Sequence, residues 1–195
     1  MLSARIYSQW RFNMKRLTIL GSLAMFVCAA VVQAQSSAAL SVSAEVKHAY
    51  DSVKRNILAS AEKVPDSDYI FKPAPAIRSF AEVFGHIASA QMHACAGVLG
   101  QQPPSSTVET NSKTNVVAAL KESFDECDKA YDSLNDANTT SAVSSFRGQM
   151  TRLGALVGNL SHDNEQYGIL TVYMRLKGIV PPSSERPMGG RSTRK

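Results

Sequence analysis

This chain of 195 residues lacks most of the short motifs that announce a chemistry. It has no Gly-rich phosphate loop and no CxxC pair, and no Ser-His-acid order can be singled out among its many serines. No stretch alternates convincingly with period 2 and no internal repeat is visible, which argues against a sheet-dominated fold. The apolar run from Leu17 to Val32 has 16 residues, short of the about 20 that a spanning helix needs. A basic face is missing too. The formal net charge of +5 sits at the two ends of the chain. Residues 1–34 hold four of the 21 bases and no acid, so 17 bases face 16 acids in the remainder. Four further bases and one acid follow Ser184, so residues 35–184 carry 13 bases against 15 acids. A slightly acidic core gives nucleic acid nothing to bind.

What is present begins with a targeting pattern. Lys15 and Arg16 precede the apolar run, and Val32-Gln33-Ala34 puts small residues at the −3 and −1 positions of a cleavage site. These are the three parts of a secretory signal peptide over residues 1–34, a retained N-terminal anchor being the alternative. Met14 opens a tidier n-region than Met1. The expected location is periplasmic or secreted. Cleavage leaves a domain of about 150 residues (35–184), the usual size for a single core, and a tail (185–195) without apolar period that reads as disordered. It also leaves two cysteines, Cys95 and Cys127. An oxidising compartment permits a disulfide between them, and two buried free thiols are the equal alternative.

Apolar spacing of 3 and 4 predicts four helices. The first covers about Val42 to Lys63, with Val46, Tyr50, Val53, Ile57 and Ala61 as its stripe. Residues 64–79 carry three prolines and form a long connection. The second helix starts near Ser79, which with Glu82 three residues on makes a capping-box pattern. The third spans about Lys113 to Leu134. The fourth spans about Gly148 to Lys177 and stops at Gly178 and Pro181-Pro182. Together they predict an all-α four-helix bundle. Cys95 and Cys127 lie at similar depth in helices two and three, so a bridge between them requires those helices to run parallel. The 13 residues from Gly100 to Ser112 reach ~40 Å when extended, enough to return along a helix of ~30 Å. A long crossover between helices two and three is therefore predicted.

Two polar features interrupt the apolar faces. In "HDNEQYG" (162–168), His162 and Gln166 stand four apart on one helical face, with Asp163 and Glu165 expected to point elsewhere. In helix two, His86 follows Gly85 amid "FAEVFGHIASA", and His93 lies seven residues on. Imidazoles brought inward by two helices are how bundles build metal sites. A catalytic zinc takes three protein ligands and an open position, and His86 and His162 supply two. Gln166 offers only a neutral amide oxygen. His93, two turns or ~10 Å from His86, is too far to share the ion and is assigned with Tyr173 to the wall of a ligand cavity. Hydrogen-bonded core histidines are the plainer reading.

"FKPAPAIRSFAEVFGHIASAQ" (71–91), followed by "HDNEQYGILTVYMRLKGIVPPSS" (162–184), resembles the DinB-like family of four-helix-bundle proteins over roughly residues 45–184. The resemblance implies the same long crossover and a divalent metal, zinc or nickel, held by three histidines. One lies on helix two and two form an H-x-x-x-H pair on helix four. His86 and His162 match two of these positions, while Gln166 occupies the third, so the site is incomplete and metal is expected to be weakly bound or absent. Members of the family include metal-dependent thiol transferases and a maleylpyruvate isomerase. The resulting expectation is an exported small-ligand-binding or interaction protein, with a metal-dependent hydrolase or thiol transferase on His86 and His162 as the alternative. The second apolar stripe of helix four adds the expectation of a homodimer.

Overall fold

The computed structural model describes residues 41–105, 108–145 and 148–185. Four helices carry the fold: α1 (Val42–Lys63), α2 (Phe80–Leu99), α3 (Lys113–Asp132) and α4 (Arg152–Leu176). Each begins at a hydroxyl cap. Ser41, Ser79, Ser112 and Thr151 accept from the amides of Ala44, Glu82, Asn115 and Gly154, satisfying donors that a helix start leaves free. At Ser79 the Glu82 carboxylate also reaches back to the cap amide, completing the capping box.

Cross-helix pairs fix the directions. Ser43 meets Asp136, Tyr50 meets Asp128 and Glu62 meets Lys121, so α1 and α3 run antiparallel. Gln91 meets Ser123 and Cys95 is disulfide-bonded to Cys127, both with a separation of 32 residues, so α2 and α3 run parallel. Arg78 meets Tyr173 and His86 meets His162, so α2 and α4 are antiparallel. The bundle is therefore up-down-down-up, and the chain must return the length of α2 before α3 begins. Its return path lies against α2 itself. A Cβ on Gly85 would come within 2.6 Å of Thr110 Cγ2, so the absent side chain is what admits the crossover.

Apolar burial follows from these faces. Tyr50, Val53 and Ile57 of α1, Leu120 and Phe124 of α3, and Leu156, Leu170 and Met174 of α4 converge on Phe80, Phe84 and Ile87 of α2. Tyr50 and Tyr131 stack with centroids 3.8 Å apart, and each hydroxyl finds a backbone carbonyl, at Phe124 and Leu156.

One element departs from the four-helix expectation. Two short strands, β1 (Ala142–Ser145) and β2 (Gly148–Thr151), pair antiparallel as a hairpin, with Val143 opposite Met150. The fourth helix thus starts at Arg152, not near Gly148, because the residues before Thr151 pair with β1 rather than with the helix. A Cβ on Gly97 would lie 2.5 Å from the Ser144 carbonyl oxygen, so α2 accepts the hairpin at a position where it carries no side chain.

Candidate functional site

The antiparallel seam between α2 and α4 is not filled evenly. Ala90 and Ala94 of α2 face Ala155 and Gly158 of α4, four small residues where a packed core would place large ones. They leave a cavity of about 230 Å³, bordered by Ser145 and Met150 of the hairpin. His86, His162 and Asn159, with Ser145, supply the polar part of its lining.

The two histidines touch. Their Nε2 atoms are 3.1 Å apart and the rings meet edge to face with centroids at 5.0 Å. One Nε2 must donate and the other accept, so the pair holds a single hydrogen between the rings. Burial pushes the His86 imidazole below its ordinary value; the Arg78 and His162 charges act the same way and Glu165 opposes them. Behind His162 lies Asp163, which is fully buried rather than turned away as expected. Its Oδ2 accepts from Asn159 Nδ2 at 3.4 Å, and its Oδ1 stands 3.8 Å from His162 Nδ1, neither of these two atoms being hydrogen-bonded among the described residues. Burial drives the Asp163 carboxyl upward, partly offset by His162. Asn159 also donates to the Tyr131 hydroxyl at 3.3 Å.

The remaining candidates fall elsewhere. Gln166 is buried and lines a second hollow on the same seam, one turn beyond His162, together with Tyr173, Arg78, Val83, Ile169 and Val172. The Tyr173 hydroxyl donates to the Arg78 carbonyl at 3.0 Å. His93 is exposed in a third hollow with Ser89, Met92 and Glu122. The structure thus brings His86 and His162 together, sets Gln166 and Tyr173 in a separate recess, and leaves His93 apart from both. Sequence reasoning missed the hairpin residues Ser145 and Met150 and the small-residue quartet. Ala90 and Ala94, four apart in α2, were the available signal.

A three-histidine metal centre does not fit this lining. Two zinc ligands at ~2.0–2.1 Å in tetrahedral array stand roughly 3.3 Å apart, which the His86–His162 spacing allows. The third position fails. Gln166 offers a neutral amide, and among the described residues no three His, Cys, Asp or Glu side chains gather as a metal-binding group. The His162 Nδ1, which a metal-bound imidazole would commit to an outer acceptor, makes no hydrogen bond among the described residues, Asp163 standing 3.8 Å away.

The fold has close counterparts. A DinB-like protein from Bacillus cereus ATCC 10987 superposes with a TM-score of 0.61 at 17% identity, covering 73% of this chain and 96% of that one. A DinB-like protein from Bacillus subtilis gives 0.60 at 19%, covering 74% and 99%. A conserved protein from Enterococcus faecalis gives 0.58 at 14%, covering 71% and 98%. At these identities the likeness speaks for the fold alone. No curated protein sequence matches the chain. A model of the DinB superfamily matches residues 49–170, from the middle of α1 through most of α4 and across both histidines of the seam. With the parallel α2–α3 pair and its long return already in place, the chain belongs to the DinB superfamily.

Proposed function

We propose that this protein binds a small, largely apolar molecule in the cavity over the His86–His162 pair. One observation carries the reading: a hollow of about 230 Å³ walled by Ala90, Ala94, Met150, Ala155 and Gly158, with the paired imidazoles as its main polar group. An apolar cavity of ~150 Å³ holds a benzene, so this one accommodates a single ring with a short substituent. A ligand hydroxyl suits the floor, since it can take the place of the direct Nε2–Nε2 hydrogen bond, accepting from one ring and donating to the other as they part. The test is a ligand-observed NMR screen with p-cresol and indole against the wild type and Gly158→Leu. Binding lost in the variant supports the reading; binding unchanged in the variant, or absent from the wild type, overturns it.

The competing reading is a divalent-metal enzyme on His86 and His162, favoured by the convergence of the two Nε2 atoms. Elemental analysis separates the two. Stoichiometric zinc or nickel in wild type, lost in His86→Ala, would overturn the ligand reading. Metal only in Gln166→His would support it. Export of the chain belongs to the same proposal, and the Cys95–Cys127 disulfide supports it, because such bonds persist in oxidising compartments. Residues 1–34, the expected signal peptide, lie outside the described residues.

A further inference from the structure

Exposed apolar side chains are not spread evenly over this molecule. Among the described residues seven large ones stand open to solvent, and Ile70, Ile77, Val172, Leu176 and Val180 are five of them. All five lie at the end of the bundle where α1 and α4 stop and α2 begins. Ile77 and Val172 line one hollow, and Leu176 stands a turn beyond Val172 on the same helical face. Ile70 stands on the turn that follows Asp68 and is 82% exposed. That turn is fixed to the end of α4: Asp68 pairs with Lys177 at 2.9 Å, and the same ammonium lies 5.1 Å over the Phe71 ring centroid. Val180 is tied to the end of α1, its carbonyl accepting from Lys63. Single exposed apolar residues are ordinary, but a gathering of them on one side marks a contact surface.

The charges around these residues leave one sign over. Lys72, Lys177 and Lys63 are each matched by a carboxylate, Glu82, Asp68 and Glu185. Asp66 lines a hollow with Lys113 and Lys121 on the α1–α3 side. Arg78 and Arg175 are exposed and pair with no carboxylate among the described residues; Arg175 donates to the Thr171 carbonyl and to Ser184 Oγ instead. The chain then leaves from this same end. Glu185 is held at Lys63, and residues 186–195 add four bases and no acid. An apolar surface ringed by cations fits a bilayer of anionic lipids, which takes hydrocarbon side chains into its interface and attracts Lys and Arg near the headgroups. A second copy fits less well, because an end-to-end pair would set one basic tail against another. Among the described residues no helix is long and apolar enough to cross a membrane, so the contact is a surface one.

We propose that this end of the bundle docks on an anionic lipid surface. Ile70, Leu176 and Val180 enter the interface, and Arg78, Arg175 and the bases of residues 186–195 lie against the headgroups. The docking does not depend on the cavity over the histidines.

Vesicle co-sedimentation tests this with the chain from Gln35 onward, which keeps the whole described core and drops the apolar run Leu17–Val32 that would bind lipid by itself. Binding to vesicles of phosphatidylcholine and phosphatidylglycerol should exceed that to phosphatidylcholine alone at least tenfold. It should fall at least tenfold as NaCl is raised from about 0.05 to about 0.5 M. Ile70→Ser combined with Leu176→Ser should weaken it at least tenfold, and both positions are exposed enough to leave the circular dichroism unchanged. A chain ended at Glu185 should lose as much. Val157→Ser, at an exposed apolar residue elsewhere on α4, should stay within twofold of wild type. No binding overturns the proposal, as does equal binding to both kinds of vesicle. Loss on removing 186–195 with no effect of the serine pair would leave a basic tail without a docking face and overturn it too. So would a loss in Val157→Ser equal to that of the serine pair. Light scattering should show a monomer; a dimer that the serine pair dissolves would make a second copy the occupant and overturn the assignment.

Discussion

Glu82 works twice at the start of α2, pairing with the Lys72 ammonium and accepting from the Ser79 amide. Those bonds, Lys72 first, hold its carboxyl at about 2. A carboxyl held below its ordinary value stabilises the fold fully above that value, near 4.5, and loses the contribution as pH falls toward 2. The group is exposed, so the gain is screened and stays below about 1 kcal/mol. Glu82→Gln should therefore melt below the wild type at pH 6, and the gap should shrink steadily through pH 4 to 2.5. A gap that is constant across that range would mean that the charge contributes nothing. Two glycines make a paired prediction of opposite sign. Gly168 is exposed, with no described residue within 4 Å of a Cβ, so Gly168→Ala should stabilise by up to about 1 kcal/mol through helix propensity. Gly97→Ala carries the same propensity gain but drives a methyl into the Ser144 carbonyl, and should destabilise by about 1–3 kcal/mol. Urea titration of both variants decides it. The residues of the site were partly legible in this same way. His86 and His162 stand on inward faces that spacing alone located. Asp163 was misplaced because it was read by its charge, although Leu156, Asp163 and Leu170 share a seven-residue interval on one buried stripe. Burial of a carboxylate is costly enough that spacing alone is a poor argument for it.

At the scale of elements, the α2–α3 pair is where a covalent bond and the packing coincide. Cys95 and Cys127 are fully buried and their Cα atoms are 5.1 Å apart. A bridge closing a separation of 32 residues restrains the unfolded chain by about 3–4 kcal/mol on the loop-entropy model. Replacing both cysteines with alanine should lower the unfolding free energy by about that amount, measured by urea titration, with helix content unchanged. A loss under about 1 kcal/mol would show that the helices hold their parallel arrangement without the bridge. The four helices were legible because long amphipathic stripes and hydroxyl caps coincide at Ser79 and Glu82. The hairpin was not. Each strand has only four residues and a single apolar side chain packed on the bundle, Val143 and Met150, too little apolar alternation to form a pattern. Met150 is also three residues from Leu153, so helical spacing extends backward through β2 and hides the cap at Thr151.

At the scale of the whole molecule, the up-down-down-up order leaves the end of α4 beside the end of α1, and the chain uses that proximity. Gly178, at φ 71°, turns the backbone out of α4, and the following residues run back across both helices. Tyr167 donates from its hydroxyl to Ser183 Oγ at 2.8 Å, and Arg175 reaches Ser184. Lys63 of α1 donates to the Val180 carbonyl at 2.8 Å and pairs with Glu185. Ile179 packs on the core and Pro181 is buried. The surface ion pair itself contributes little, between 0 and about 1 kcal/mol. The apolar contact of Ile179 and Pro181 and the enclosed Tyr167 hydroxyl carry more, together about 2 kcal/mol. A chain ended at Lys177 should therefore unfold at lower urea by about that amount, with its helices retained by circular dichroism. Glu185→Ala in the intact chain should cost less than about 1 kcal/mol. If Glu185→Ala is as damaging as the truncation, the ion pair and not the apolar strap ties the two helix ends together. If neither change moves the midpoint, α1 and α4 are held by their shared core alone.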